Sequence, residues 1–444
     1  MASLLADAAL LEDGFAHNVR ITHADGTITA LQHGAMAAPG DEHVPGILLP
    51  GMANLHSHAF QRAFAGLSEF DGGGGDFWSW REAMYRVADR VTPALCTPIA
   101  AWLNKELLKG GYTSAAEFHY VHHRPEGACY DVRTEMAKAL AAGAAAAGMG
   151  LTILVGVYET AGLDGSPLAG GQRRFRNDVA QALDMAVSLQ EGSISAGLAL
   201  HSLRAVPPAS VRRAAEDFAG PIHIHVAEQR AEVEACVAAL GAPPVAWLLD
   251  NVAVDHRWCL VHATHAEPDE ITRAARAGAV IGLCPTTEAD LGDGIFRFGD
   301  LAAACGSFGI GSDSNVVLDA FQELRLLEYG QRLRVERRNL AAAGEGHTGR
   351  ALWQQAALGG AQACSRKIGR LAPGYRADFV VIEPTFETAD AAADFVLDAA
   401  IFAAVRAPAR HVMVGGAWIV RDGTHIREAA IDEAYRHALK ALAA

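Results

Sequence analysis

From about residue 50 to about residue 365 the chain repeats one pattern, a short β-leaning or small-residue run followed by a stretch of helical composition. The run carrying His56, in GILLPGMANLHSH, comes first. TSAAEFHY, LTILVGVYE, SAGLALHSLR, PIHIHVAE, WCLVHATH, AVIGLCP and FGIGSDS follow it. Strands alternating with helices call for a parallel sheet, because each parallel pair needs a long crossover connection. The runs number eight, which closes a (β/α)8 TIM barrel, so an α/β barrel is expected over residues 50–369.

The ends of the chain differ in character. VRITHADGTITALQ alternates in short runs broken by Asp25-Gly26, a hairpin signal. Beyond residue 370, GRLAPGYRADFVVIEP and ARHVMVGGAWIVRDG read as short strands and Gly-rich hairpins. A small β-sandwich domain built from both chain termini, residues 1–49 and 370–426, is the economical expectation, with a C-terminal helix over 427–444. A length of 444 residues suits one large domain plus a smaller one. The Ala-rich stretch at 141–148 reads as a close-packed helix end and not a linker.

The bulk chemistry excludes some partners. A formal charge of −14 argues against nucleic acid, since a polyanion wants a basic face. It leaves room for an anionic small molecule, which needs only a few Arg side chains. Seven scattered Cys, odd in number and never in a CxxC spacing, read as reduced cytoplasmic thiols. MASLLADAAL has no Lys or Arg ahead of its apolar run, so no secretory leader is expected. No apolar stretch approaches the length a membrane helix needs.

Polar residues collect at the C-terminal ends of the runs: His56, His58, Tyr120, His201, His225, His262 and Asp313. In a barrel those ends form the catalytic rim. His56 and His58 are two apart on a strand, so both face one side, and paired imidazoles suit a divalent metal such as zinc or iron. His225 offers a third ligand, and Glu228 three residues on enters the loop, as suits a general acid or base. His223, also inward by the two-residue period, reads as a hydrogen-bonded barrel histidine. His265 reads as a surface or capping residue. Asp313 in GSDS has small neighbours that leave room for its carboxylate to face a metal, although alone it reads as a helix N-cap.

Taken together, His56, His58, His225, Glu228, His262 and Asp313 in that order resemble the amidohydrolase superfamily, as does GRLAPGYRADFVV in the flanking β region. Two-metal members of that superfamily use a modified Lys at the end of the fourth strand. Here SAGLALHSLR offers His201 and no Lys, so the resemblance implies one metal, Zn2+ or Fe2+, on His56, His58, His225 and Asp313. GMANLHSHAFQRAFAGL, FWSWREAMYR, AEFHYVHH, ALHSLRAV and HVAEQ resemble the formimidoylglutamate deiminase family. That family hydrolyses N-formimino-L-glutamate to N-formyl-L-glutamate and ammonia in histidine degradation, and the resemblance implies a cytoplasmic homodimer.

The resemblance also implies that Gln61, Arg81, Tyr120, His201 and Arg204 bind the substrate. Its two carboxylates suit the planar fork of Arg. Without the resemblance, Arg81 reads as a solvated residue of an amphipathic helix, Arg204 divides evenly between pocket and scaffold, and Tyr120 reads equally as rim packing. The implied mechanism has a metal that lowers the pKa of bound water. Asp313 takes the water's proton, Glu228 protonates the formimino nitrogen, and His262 stabilises the tetrahedral intermediate. A Cys nucleophile is disfavoured because no Cys falls at the rim beside the histidines, Cys284 in GLCP being the nearest. The run Gly72–Gly75 ahead of FWSWRE is expected to lengthen or loosen a loop near the pocket. Competing expectations are a one-metal deaminase of a purine-like base and an inactive amidohydrolase scaffold.

Overall fold

The computed structural model describes residues 2–67, 69, 84–192, 194–342 and 346–443. Its first four strands are β1 (Ala2–Leu11), β2 (Gly14–Ala24), β3 (Thr27–Gln32) and β4 (Asp41–Pro50). The next eight are β5 (Met52–Ser57), β6 (Tyr112–His119), β7 (Gly150–Val157), β8 (Ser195–Leu200), β9 (Ile222–Val226), β10 (Trp258–His262), β11 (Val280–Leu283) and β12 (Ser307–Ile310). They form a closed parallel barrel in which β12 returns to β5 through Ile310 and Asn54. All eight runs identified in the sequence are therefore barrel strands, in chain order around the ring.

Closure depends on tight packing outside the barrel. The helix Thr348–Ala363 lies against β12 so closely that a Cβ on Gly359 would sit 1.9 Å from the Phe308 carbonyl oxygen. Only glycine permits that approach. At the base, His223 Nε2 donates to the Ala363 carbonyl at 2.9 Å, which makes this inward histidine a plug of the barrel floor.

The remaining strands are β13 (Phe379–Ile382), β14 (Ala409–Val414), β15 (Ala417–Arg421) and β16 (Thr424–His425). They join β1–β4 in one sheet of order β16-β15-β14-β13-β4-β1-β2-β3, antiparallel except where β1 meets β4. Alternation along β13 gives the sheet two jobs. Phe379 and Val381 pack into a core private to the small domain, with Val19, Ile21 and Met413. Val380 and Ile382 join the barrel's core. The sheet curls, so that the β2–β3 turn meets the β14–β15 turn, where Gly26 and Gly415 approach closely. β4 ends at Pro50 and β5 begins at Met52, so the small domain leads straight into the strand that carries His56.

Candidate active site

At the C-terminal mouth of the barrel, one ligand atom each from His56, His58, His225 and Asp313 lies within 4.8 Å of the others, all buried. His56 ends β5 with its neighbour Ser57, His58 follows it, His225 is in β9, and Asp313 lies just past β12. The backbone laces the first and eighth barrel strands together there. Asp313 N donates to His56 O at 2.9 Å and His58 N donates to Asp313 O at 3.0 Å. Beneath them Asn54 donates to Ser312, Ser312 donates to Asn315 Oδ1, and Asn315 Nδ2 donates to the His58 carbonyl. Asp313 and His262 both take left-handed backbone, with φ of 44° and 67°. Strain of that kind persists where the surroundings fix it.

The donor set fits a cation. His58 Nδ1 lies 2.9 Å from the Phe118 carbonyl and His225 Nδ1 lies 2.7 Å from the His201 carbonyl. A carbonyl only accepts, so both Nδ1 atoms carry the proton and both Nε2 atoms present lone pairs inward. His225 Nε2 then faces His56 Nε2 at 3.0 Å, and His58 Nε2 faces Asp313 Oδ1 at 3.3 Å. A proton on His56 Nε2 relieves only one such contact. A divalent ion among the four relieves them all. Burial pushes the His56 imidazole down to about 3, and lowers His58 and His225 as well, so these rings are neutral ligands.

Glu228 and His262 stand beside this cluster. His262 Nε2 is 3.8 Å from Glu228 Oε1 and 3.7 Å from Asp313 Oδ2. Burial raises the Glu228 carboxyl to about 7, with the neighbouring carboxylates adding to the effect and His262 opposing it. For His262, burial works against the charged ring, yet Glu228, Glu288 and Asp313 outweigh it and raise its pKa well above the ordinary value.

A cavity of about 300 Å³ opens over these groups, lined by Gln61, Tyr120, His201 and Arg204 among others. Gln61 Nε2 donates to Tyr120 Oη at 3.1 Å, while its Oε1 is buried with no hydrogen-bond partner among the described residues. Arg204 is held from one side: Nη1 donates to Tyr158 Oη and to the Ala161 carbonyl, both at 3.0 Å. Arg81 and the Gly72–Gly75 run lie outside the described residues.

Known proteins resemble this chain over nearly its whole length. The amidohydrolase family profile matches residues 47–419, and that of the formimidoylglutamate deiminase HutF N-terminal domain matches residues 1–44. A formimidoylglutamate deiminase of Pseudomonas aeruginosa is 48% identical over 96% of each chain. The chain belongs to the amidohydrolase family, on its formimidoylglutamate deiminase branch. An 8-oxoguanine deaminase of Pseudomonas aeruginosa is 30% identical over 85% of this chain and 83% of its own. Among solved structures, an amidohydrolase from Brucella melitensis is 46% identical and superposes with a TM-score of 0.95 over 100% of both chains. An adenosine deaminase from Xanthomonas campestris with bound zinc shares the fold, at 22% identity and a TM-score of 0.83, over 100% of this chain and 98% of its own.

In this amidohydrolase one expectation from sequence needs correcting. Cys284 does lie beside the histidines, its Sγ within 4.8 Å of ligand atoms of His262 and Asp313. It follows β11 directly and turns inward beneath the rim. Burial, then Asp313 and Glu288, push its thiol well above the usual value, so it stays a neutral thiol and a poor nucleophile. Sequence reasoning also missed three carboxylates. Glu232 accepts from the backbone N–H groups of Ala227 at 3.2 Å and Glu228 at 2.9 Å. Glu288 accepts from Cys284 N at 2.9 Å and lies 3.3 Å from His262 Nδ1. Asp293 has its carboxyl beside Glu228 and His262. The i+4 spacing of Glu232 from Glu228 was the one visible signal. Glu288 reaches the site from the short helix Pro285–Asp290 and Asp293 from the stretch after it, neither with a periodicity to mark it.

Proposed function

We propose that this chain hydrolyses N-formimino-L-glutamate to N-formyl-L-glutamate and ammonia, a deamination of histidine degradation. The reading includes one divalent metal, zinc or ferrous iron, on His56, His58, His225 and Asp313. Its near-full-length similarity to the Pseudomonas aeruginosa deiminase carries the reading. The cavity is compatible in size and chemistry. Arg204 lines it and, among the described residues, keeps Nε and Nη2 without hydrogen-bond partners, which leaves donors for a substrate carboxylate. Gln61, Tyr120 and His201 complete the binding wall in this reading, together with Arg81.

A bound metal supplies Lewis acidity and acidifies a water molecule. The chain's own groups do the proton work. Asp313 accepts the proton of the attacking water, and its Oδ2 faces His262. Glu228, protonated near neutrality, delivers a proton to the formimino nitrogen so that the carbon becomes electrophilic and ammonia leaves. His262, its Nδ1 directed at Glu288, offers Nε2 to the oxygen that gains charge in the tetrahedral intermediate. Glu232 is a positioning residue, because it grips the backbone that carries Glu228.

Ammonia release from N-formimino-L-glutamate, measured with elemental metal analysis, tests the reading. Tyr85, Tyr120, Tyr158 and Phe175 also line the cavity and suit a flat ring, so a purine panel is the comparison. Activity confined to purines would overturn the substrate assignment. The homodimer and cytoplasmic location belong to the same reading, and light scattering on the purified protein checks the former.

A further inference from the structure

Outside the four-ligand cluster, a second group of donors meets at the same rim. One atom each of Glu228, His262 and Asp293 lies within 4.8 Å of the others. Asp293 is 4% exposed, and its Oδ2 is buried with no hydrogen-bond partner among the described residues. Its other oxygen accepts from Gln229 Nε2, which fixes the carboxyl's orientation. Glu288 faces His262 Nδ1, so Nε2 is the ring atom turned towards Glu228 and Asp313. Two carboxylates and an imidazole at these separations match the oxygen and nitrogen ligands and the span of a zinc-sized ion.

We propose that Glu228, His262 and Asp293 form a second, weaker divalent-cation site that inhibits the enzyme when filled. A cation there replaces protons on the carboxyls and on His262 Nε2, as metal binding to such groups does. Glu228 then has no proton to give and His262 no N–H to offer. The inhibition, though not the binding, rests on the proton roles assigned above. No Lys-bridged two-metal centre is implied: none of the three side chains belongs to the four-ligand cluster.

Calorimetric titration with Zn2+ of enzyme already carrying one equivalent reads the site without substrate, and hydrolysis at the same free Zn2+ reads its consequence. The expected result is a second, weaker equivalent, with turnover falling at least tenfold as it fills. Asp293→Asn should keep the first equivalent and lose the second, and its remaining turnover should not respond to the same Zn2+. Glu228→Gln, measured by calorimetry alone, should also weaken the second equivalent, which covers the case in which Asp293→Asn does not fold. Absence of a second equivalent in the parent enzyme overturns the site, as does one that persists at full affinity in the variants. A second equivalent lost in the variants but without effect on turnover would uphold the site and overturn the proton roles of Glu228 and His262.

Discussion

Glu228 sits where burial and three neighbouring carboxylates favour its neutral form, while His262 favours the charged one. The balance, about 7, gives the assigned acid a testable pH signature. A carboxyl with a raised pKa keeps its proton to higher pH, so donation is intact below about 7 and is lost as pH rises through that value. We expect kcat/KM to fall on the basic side of neutrality, about tenfold per pH unit. A profile flat from pH 6 to 9 would remove Glu228 from proton delivery. Glu228→Gln should lower kcat by about 10²–10⁴-fold, the usual worth of a positioned acid or base. Its metal content should stay normal, because Glu228 is outside the four-ligand cluster. Loss of metal along with activity would mean that the residue acts on the ligands instead.

At the scale of elements, the site depends on how strand ends enter the next helix. The helix Arg230–Leu240 begins two residues after Glu228, and Glu232 in its first turn reaches back to the N–H groups of Ala227 and Glu228. Ala227 has φ of 52°, a left-handed turn that a non-glycine residue adopts at some cost. Glu232 therefore holds the bend that aims Glu228 from the helix that follows it. Removing that support, as in Glu232→Ala, should lower kcat by about 10–100-fold, the range seen when groups that orient a metal site's residues are lost. Glu232→Gln keeps one acceptor and should fall between. An unchanged kcat with a changed melting temperature would show that the contact is purely structural.

For the molecule as a whole, the ends of the chain support the catalytic mouth. The C-terminal helix Glu428–Ala443 docks on the helix Pro93–Lys109, where Lys105 pairs with Asp432 and Tyr435 stacks on Trp102 at 4.6 Å. Arg62 lies over the same Trp102 ring and donates to the Asn315 carbonyl at 2.7 Å, two residues past Asp313. Tyr435→Ala empties a buried aromatic site and should cost about 3 kcal/mol. The expected readout is a lower Tm in thermal unfolding with metal content retained. An unchanged Tm would show that the terminal helix is dispensable to the barrel.

Much of this was legible in one dimension because the signals were local. Strand period, helix composition and eight repeats specify a barrel, and a barrel sends its strand ends to one rim, so the sequence alone places His56, His58, His225, His262 and Asp313 together. The match between the two chain ends was equally visible, although their joining as one curled sheet was not. What only the tertiary structure decided were contacts between residues far apart in the chain with no shared period. Carbonyls of Phe118 and His201 set the tautomers of His58 and His225. The β11 end turns Cys284 beneath the rim, and the stretch after the helix Pro285–Asp290 brings Asp293 against Glu228. Such placements follow from how strands stagger and loops close around the barrel, and sequence spacing carries no record of either.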